Sequence, residues 1–219
     1  MAVFLDNQPF ADADLAPEAT VGQLIDAVKA TLTGSGRLLI SLRCEDEPVS
    51  PGRLESILPE PVRDFQRLDL QTDEPKQVVL DILTDAQQAL SDSFATLKDA
   101  SESLSAGGQT RAMQHLADCM QSWGQVHEAL VKGGSLLGID FNTLSIAERP
   151  LVAWLGDIVT RLRDLKEAIA SRDHVLLADL LRYEFDDMLQ GWERLLEGFV
   201  AHVETLPASA GTEASAPTP

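Results

Sequence analysis

Apolar residues change their spacing once along this chain, at Glu74-Pro75. Ahead of that point they sit in short alternating runs, the period of half-buried strands. From Lys76 to Leu206 they recur every three or four residues, the period of amphipathic helices. The pattern predicts an α+β protein, mainly helical, with a small mixed domain over residues 1–74 followed by a helical one over 75–206.

In the first segment Ala2-Val3-Phe4-Leu5 reads as a strand, and Asp6-Asn7-Gln8-Pro9 as a turn leading to a second strand near Phe10. Thr20 with Gln23 three residues on makes a capping box, and Val21, Leu24, Ile25, Val28 and Leu32 follow as the inner face of a helix that Gly34-Ser35-Gly36 ends. Leu38 to Leu42 reads as a buried strand, Glu45-Asp46-Glu47-Pro48 as an acidic turn, Pro51 to Leu58 as a short helix or turn, and Arg67 to Gln71 as a closing strand. The predicted order is ββαββ.

That order, with Thr20-Val21 opening the helix, the acidic turn after the third strand, Leu54 and Leu58 in a short helix and Leu68-Asp69-Leu70 in the last strand, resembles the ubiquitin-like β-grasp fold over residues 2–72. The resemblance implies a docking module that presents a sheet face or an edge strand to another protein. Conjugated members of that family use a terminal Gly-Gly; here Thr72-Asp73-Glu74-Pro75 and a further domain follow, so a transferable modifier is not expected.

In the second segment Val79, Leu83, Ala86, Leu90, Phe94, Leu97 and Leu104 share one face of a long helix, interrupted only by Ser101. Ser105-Ala106-Gly107-Gly108 breaks it. Thr110 is placed to cap a second helix, with Met113, Leu116, Ala117, Met120, Trp123, His127, Leu130 and Val131 as its stripe and Gly133-Gly134 as its end. The looser residues 135–146 carry Leu136, Leu137, Ile139, Phe141 and Leu144, which are expected to fold back over the helices and so keep that surface dry. A third helix starts near Glu148 to Pro150 and turns Trp154, Leu155, Ile158, Leu162, Leu165 and Ile169 inward. Asp173 caps a fourth, lined by Leu177, Leu180, Leu181, Met188, Trp192, Leu195, Leu196, Phe199 and Val203. The simplest packing is an antiparallel four-helix bundle with two shorter connections and one longer one. Residues 207–219, rich in Ala, Ser, Thr and Pro and without period, are expected to be a disordered tail.

The formal net charge is −18, with 14 acids against 6 bases in residues 1–75 and 20 against 11 in 76–206. Such a surface repels phosphate backbones and anionic lipid heads, so neither nucleic acid nor membrane is an expected partner. A basic or amphipathic helix of another protein is. Cys44 and Cys119 fall one in each segment without metal-site or disulfide spacing, which fits a reducing compartment. The N-terminus meets acids early and lacks the basic start and long apolar run of a signal peptide, and no run of about 18 apolar residues occurs. The expectation is a cytoplasmic protein, bacterial in style.

Motifs for chemistry are missing. There is no G-x-S-x-G, G-x-x-x-x-G-K-[ST] or G-x-G-x-x-G, and no Glu-x-x-His pair of the kind that holds metals in a bundle. His115, His127, His174 and His202 are scattered, and only His115 has a carboxylate, Asp118, at helical spacing. No metal or cofactor is expected, and Cys119 reads as a packed thiol. His127 and Glu184 extend apolar stripes, where an ionisable group must find a partner or bear a desolvation cost. Pairing with each other, or with Arg161 or Arg163, would fix helix register; a cavity beside them and Tyr183 would instead make a polar pocket. Leu177 to Met188, with Asp179, Glu184, Asp186 and Asp187 around an apolar stripe, loosely resembles a Leu-Leu-Ala-Asp-Leu-Leu-x-Tyr-Glu pattern of helical bacterial proteins of unassigned function, some of flagellar context. Trp123, Trp154 and Trp192 occur one per helix, and either stack as a core layer or line an exposed groove.

These readings favour a non-catalytic adaptor that holds a basic or amphipathic partner segment along Trp123, Trp154 and Trp192, with Tyr183 and Glu184 beside them, in the manner of a chaperone in secretion or flagellar assembly. The alternative is a small-molecule-binding or enzymatic bundle with its pocket near His127, Tyr183 and Glu184. Homodimerisation through a bundle face is a third arrangement.

Overall fold

A computed structural model of the chain describes residues 2–10, 18–171, 176–177, 180–181 and 185–207. The predicted cap Asp173, the acids Asp179 and Glu184, Tyr183 and the predicted tail after Pro207 lie outside these residues. The chain is α+β and divides into two compact units, one within residues 1–78 and the other Val79–Pro207.

In the first unit, strands β1 (Ala2–Leu5), β2 (Gln8–Pro9), β3 (Leu38–Cys44), β4 (Glu47–Pro48) and β5 (Arg67–Asp73) form one sheet in the order β2-β1-β5-β3-β4. β1 and β5 run parallel and the other pairs are antiparallel. Helix α1 (Val21–Leu32) opens on the expected capping box: the Gln23 N–H donates to Thr20 Oγ1 at 3.3 Å and the Thr20 N–H to Gln23 Oε1 at 3.0 Å. Val21, Leu24, Ile25 and Val28 of α1 join Leu42, Cys44, Leu68 and Leu70 of the sheet in one buried cluster, closed by Ile57 of the short helix α2 (Pro51–Ile57) and by Val62.

The acidic turn proves to be a hairpin that adds a fifth strand. Asp6-Asn7 and Glu45-Asp46 are two-residue loops with φ of 50° and 64°, and 54° and 69°, the left-handed geometry whose twist suits tight hairpins. Asp6 is fixed in place by Thr72, whose N–H and hydroxyl donate to its carboxylate at 2.7 and 2.6 Å. Arg37 donates in turn to Thr72 Oγ1 and to the Thr72 carbonyl, both at 2.8 Å, so the first hairpin, the end of β5 and the start of β3 are tied together. Both edge strands are two residues long and end in proline, which has no N–H to offer an incoming strand.

The second unit is mainly helical, with α3 (Pro75–Ser105), α4 (Gln109–Leu136), α5 (Leu151–Ser171) and α6 (Phe185–Thr205). α3 buries Val79, Leu83, Ala86, Leu90, Ser93, Leu97 and Ala100; α4 buries Ala112, Leu116, Cys119, Trp123, Val126, Leu130 and Gly133. Both sets alternate steps of four and three, the seam of helices packed side by side. Phe185, Leu189, Trp192, Leu195, Leu196, Phe199 and Val203 of α6 complete the core with Leu151, Leu165 and Ala168 of α5. Among the described residues no helix is long and apolar enough to cross a membrane.

Several expectations are corrected here. Val126, not His127, holds the α4 seam, and Cys119 rather than Met120; His127 is half-buried on the flank. In α3 the seam takes Ser93 and Ala100, leaving Phe94 and Ser101 partly exposed. A loosely applied helical period admits either of two neighbours, whereas the seven-residue repeat selects one. Gly108, not Thr110, is the N-cap of α4 and makes no side-chain bond. Glu148 does not start α5: with Ala147 it forms the left-handed loop, φ 50° and 62°, of a hairpin between β6 (Ser145–Ile146) and β7 (Arg149–Pro150).

Gly133-Gly134 does not end α4, which runs on to Leu136. A Cβ at Gly133 would stand 3.1 Å from Val79 Cγ1, and one at Gly134 2.3 Å from Phe141 Cε1, so these glycines let two apolar side chains press onto the helix backbone. The contrast with Gly124, where a Cβ meets nothing within 4 Å, makes a test. Gly124→Ala should stabilise the protein by about 0.5–1 kcal/mol through helix propensity. Gly134→Ala should destabilise it by about 1–3 kcal/mol through overpacking, despite the same propensity gain. Denaturant unfolding of the two variants checks the opposite signs; equal stabilisation by both would refute the close approach.

Candidate functional site

α5 and α6 border a cleft of about 260 Å³. β7 contributes Arg149 to it, α5 contributes Trp154, Asp157 and Arg161, and α6 contributes Asp187, Met188, Gly191 and Trp192. Met188 and Trp192 lie four residues apart and Gly191 three from Met188, so helical spacing brings all three to one side of α6.

Trp154 is set in place by three neighbours. Its Nε1–H donates to the Ile146 carbonyl at 3.2 Å, the Arg149 guanidinium lies 4.6 Å over its ring, and its Cζ3 stands 2.9 Å from where a Cβ on Gly191 would be. Ile146 is itself buried, with Cγ2 only 2.3 Å from the Cβ position of Gly198. Gly191 and Gly198, seven residues apart, therefore seat Trp154 and the hairpin against the same side of α6.

Arg149 is spent within the site. It donates to Asp157 Oδ2 at 2.6 Å and to the Ala153 carbonyl at 3.2 Å while stacking on Trp154, an arrangement that neutralises and orients it. Asp187, by contrast, is exposed and has no hydrogen bond or ion pair among the described residues. The Trp192 ring is buried, and its Nε1–H, itself out of reach of solvent, finds no acceptor among the described residues. The cleft thus combines an indole and thioether floor with two arginines, Arg149 and Arg161, neither of them free, and one exposed carboxylate without a partner among the described residues. That chemistry suits contact with an apolar group and, at Asp187, with a cation. Among the described residues no three His, Cys, Asp or Glu side chains gather as metal ligands.

Trp123 is not among the walls of this cleft. It is wholly buried, stacks on Phe185 with centroids 5.0 Å apart, and donates its Nε1–H to Ser93 Oγ at 2.9 Å. The Ser93 hydroxyl donates to the Leu90 carbonyl at 2.6 Å, and the Cys119 thiol to the Ser93 carbonyl at 3.6 Å. Burial, with Asp118 adding to it, pushes the Cys119 thiol up to about 12.

Of the residues singled out from sequence, Trp154 and Trp192 border the cleft, Trp192 as part of the core; Trp123 lies wholly in the core, with Ser93 as its hydrogen-bond partner. Tyr183 and Glu184 lie outside the described residues, and His127 does not line the cleft. Sequence reasoning missed Arg149, Asp157 and Gly191. Arg149 and Asp157 are eight residues apart, one on β7 and the other two turns into α5, a spacing that no single helical or strand period pairs. The first unit holds a wider hollow of about 500 Å³ beside Lys29, Leu32 and Arg37, but its Arg37 is already committed to Thr72.

Residues 81–195, just over half of the chain, match the family described as Domain of unknown function (DUF8042), and the chain belongs to that family. The matched stretch contains every residue of the cleft. No curated protein and no solved structure matches the chain.

Two outcomes follow from these contacts. Gly191→Ala should push the Trp154 ring off its seat, costing about 1–3 kcal/mol and changing the near-UV circular dichroism of the tryptophans; an unchanged spectrum and stability would mean that the ring is not held there. Cys119 stays protonated in the folded state above its ordinary value near 9, whereas the unfolded chain ionises. Its contribution to stability is therefore complete below pH 9 and is lost as pH rises from 9 towards 12, at up to about 1.4 kcal/mol per pH unit. Denaturant unfolding between pH 8 and 10.5 should show a steeper loss for the wild type than for Cys119→Ala, and parallel curves would count against the buried thiol.

Proposed function

We propose that this protein is a non-catalytic adaptor whose helical unit holds a basic or amphipathic segment of another protein in the cleft between α5 and α6. The observation that carries this reading is the cleft's unspent chemistry: of its two arginines Arg149 is neutralised by Asp157 and Arg161 is not free either, while the Asp187 carboxylate stands exposed, without a partner among the described residues, beside an apolar floor. The surrounding acidic field favours a basic partner and speeds its encounter.

The first unit is read as a ubiquitin-like β-grasp module, on the support of α1 packed over a sheet with a parallel central pair and the order β2-β1-β5-β3-β4. Its proline-ended edges argue against strand addition, so docking falls to the sheet face. The four long helices are read as an antiparallel bundle, and the whole as a cytoplasmic, chaperone-like carrier of amphipathic segments in secretion or flagellar assembly.

Isothermal titration of the full chain with a synthetic leucine–lysine amphipathic helix, and with the same peptide carrying glutamate for lysine, tests the reading. The lysine peptide should bind, more weakly at high salt, and Asp187→Lys should weaken it by about fivefold, the effect of a rim charge worth roughly 1 kcal/mol. Absence of binding by the lysine peptide, or equal binding of both peptides, would remove the proposal.

A further inference from the structure

We infer that the outer face of α5 is a self-association surface that takes the outer face of α3 from a second copy of the chain, the two helices running parallel with Arg163 opposite Asp99 and Lys166 opposite Glu102. None of these residues lines the cleft, so the contact is independent of the adaptor reading.

The α5 face is one that nothing among the described residues covers. Val152 and Val159, 50% and 57% exposed, are the most exposed large apolar side chains among the described residues, and they lie seven apart on α5. Gly156 between them is exposed, and a Cβ there would meet nothing within 4 Å, so no close approach within the chain accounts for a glycine that weakens the helix. Arg163 and Lys166 continue the same face. Both are exposed, and neither has an ion pair or hydrogen bond among the described residues. The steps from Val152 through Gly156, Val159 and Arg163 to Lys166 alternate four and three, the spacing of a coiled-coil seam.

The outer face of α3 repeats those steps with the opposite charge. Gln88, Asp92, Ala95, Asp99 and Glu102 are all exposed and follow one another at the same intervals. Laid parallel, the two faces bring Val159 to Ala95, Arg163 to Asp99 and Lys166 to Glu102. The same register sets Glu167, flanking the α5 face, towards Lys98, flanking that of α3, as charged pairs flank a parallel coiled coil. Other registers lose this match. Antiparallel ones that keep both faces in contact over this length set Val159 against Asp85, Asp92 or Asp99. A parallel pair slid by seven residues leaves Lys166 opposite Ala95 in one direction and Val159 opposite Glu102 in the other.

A formal net charge of −18 repels a second copy from most approaches. Contact is favoured only where the local sign reverses. α3 holds five acids against two bases, whereas α5 holds three of each with two of its bases on the outer face. The matched seam covers roughly 20 Å of each helix. So short and polar a contact makes a weak, reversible association rather than an obligate one.

Sedimentation velocity of the full chain in about 0.1 M salt, where distant charges are screened and pairs in contact persist, tests the inference. The wild type should self-associate with a Kd on the order of 100 µM, read as a sedimentation coefficient that rises with concentration. The double variant Arg163→Glu with Lys166→Glu should weaken this by about tenfold or more. Asp99→Lys with Glu102→Lys should do the same, although it brings the net charge closer to zero. An equimolar mixture of the two variants should restore association, because the swapped faces again meet with opposite signs. All four positions are exposed, and circular dichroism checks that each variant folds. A wild type that stays monomeric up to about 1 mM overturns the inference and leaves the α5 face to an acidic helix of another protein. Association that survives either variant, or that the mixture fails to restore, overturns the α5 to α3 pairing.

Discussion

Close approach at glycines inside helices governs the second unit. Gly133 and Gly134 of α4 admit Val79 and Phe141, and Gly191 and Gly198 of α6 admit Trp154 and Ile146. Each helical glycine costs about 1 kcal/mol against alanine. The side chains that come down onto these backbones offset that cost by burying apolar surface that would otherwise face water, at about 25 cal/mol per Å². The cleft is a product of the same device: without Gly191 the Trp154 ring could not lie against α6, and without Gly198 the hairpin carrying Arg149 would stand off.

How much of this could be read from sequence depended on whether a feature is local. The change of period at Pro75, the Thr20 capping box and the helical faces are properties of neighbouring residues, and they were legible. Gly133-Gly134 was misread because a helical glycine pair looks the same whether it terminates a helix or receives Phe141; only a contact from elsewhere in the chain distinguishes the two. The Ala147-Glu148 hairpin, and the strand that follows the acidic turn at Glu45-Asp46, escaped for a different reason. Left-handed two-residue turns usually advertise themselves with Asn-Gly or Asp-Gly, and Glu45-Asp46 and Ala147-Glu148 contain no glycine.

The tryptophans show the limit most clearly. By spacing, Trp123, Trp154 and Trp192 are equivalent. What separates them is where each indole N–H finds oxygen: Ser93 on α3 for Trp123, the Ile146 carbonyl for Trp154, and none among the described residues for Trp192. An indole is a large apolar body with one donor, so whether that donor is satisfied depends on a distant segment, while burial itself does not: Trp192 is nearly as buried as Trp123. Ser93 is a polar residue on an otherwise apolar seam and would read as a flaw in α3, yet its hydroxyl gives the buried Trp123 its acceptor.

The hairpin beside the cleft sets local preference against tertiary contact. Ala147 and Glu148 both adopt left-handed backbone, which costs non-glycine residues about 1–2 kcal/mol each. That conformation persists because the residues around it are fixed independently: Ile146 by its seat on Gly198, its carbonyl by Trp154, and Arg149 by Asp157. Relaxing the loop would free Arg149 to leave Asp157 and would return a cation to the cleft, changing what the site attracts. The strain therefore does more than close a turn. It holds Arg149, one of the cleft's two arginines, in a neutral pair with Asp157, and Asp187 stands exposed at the rim.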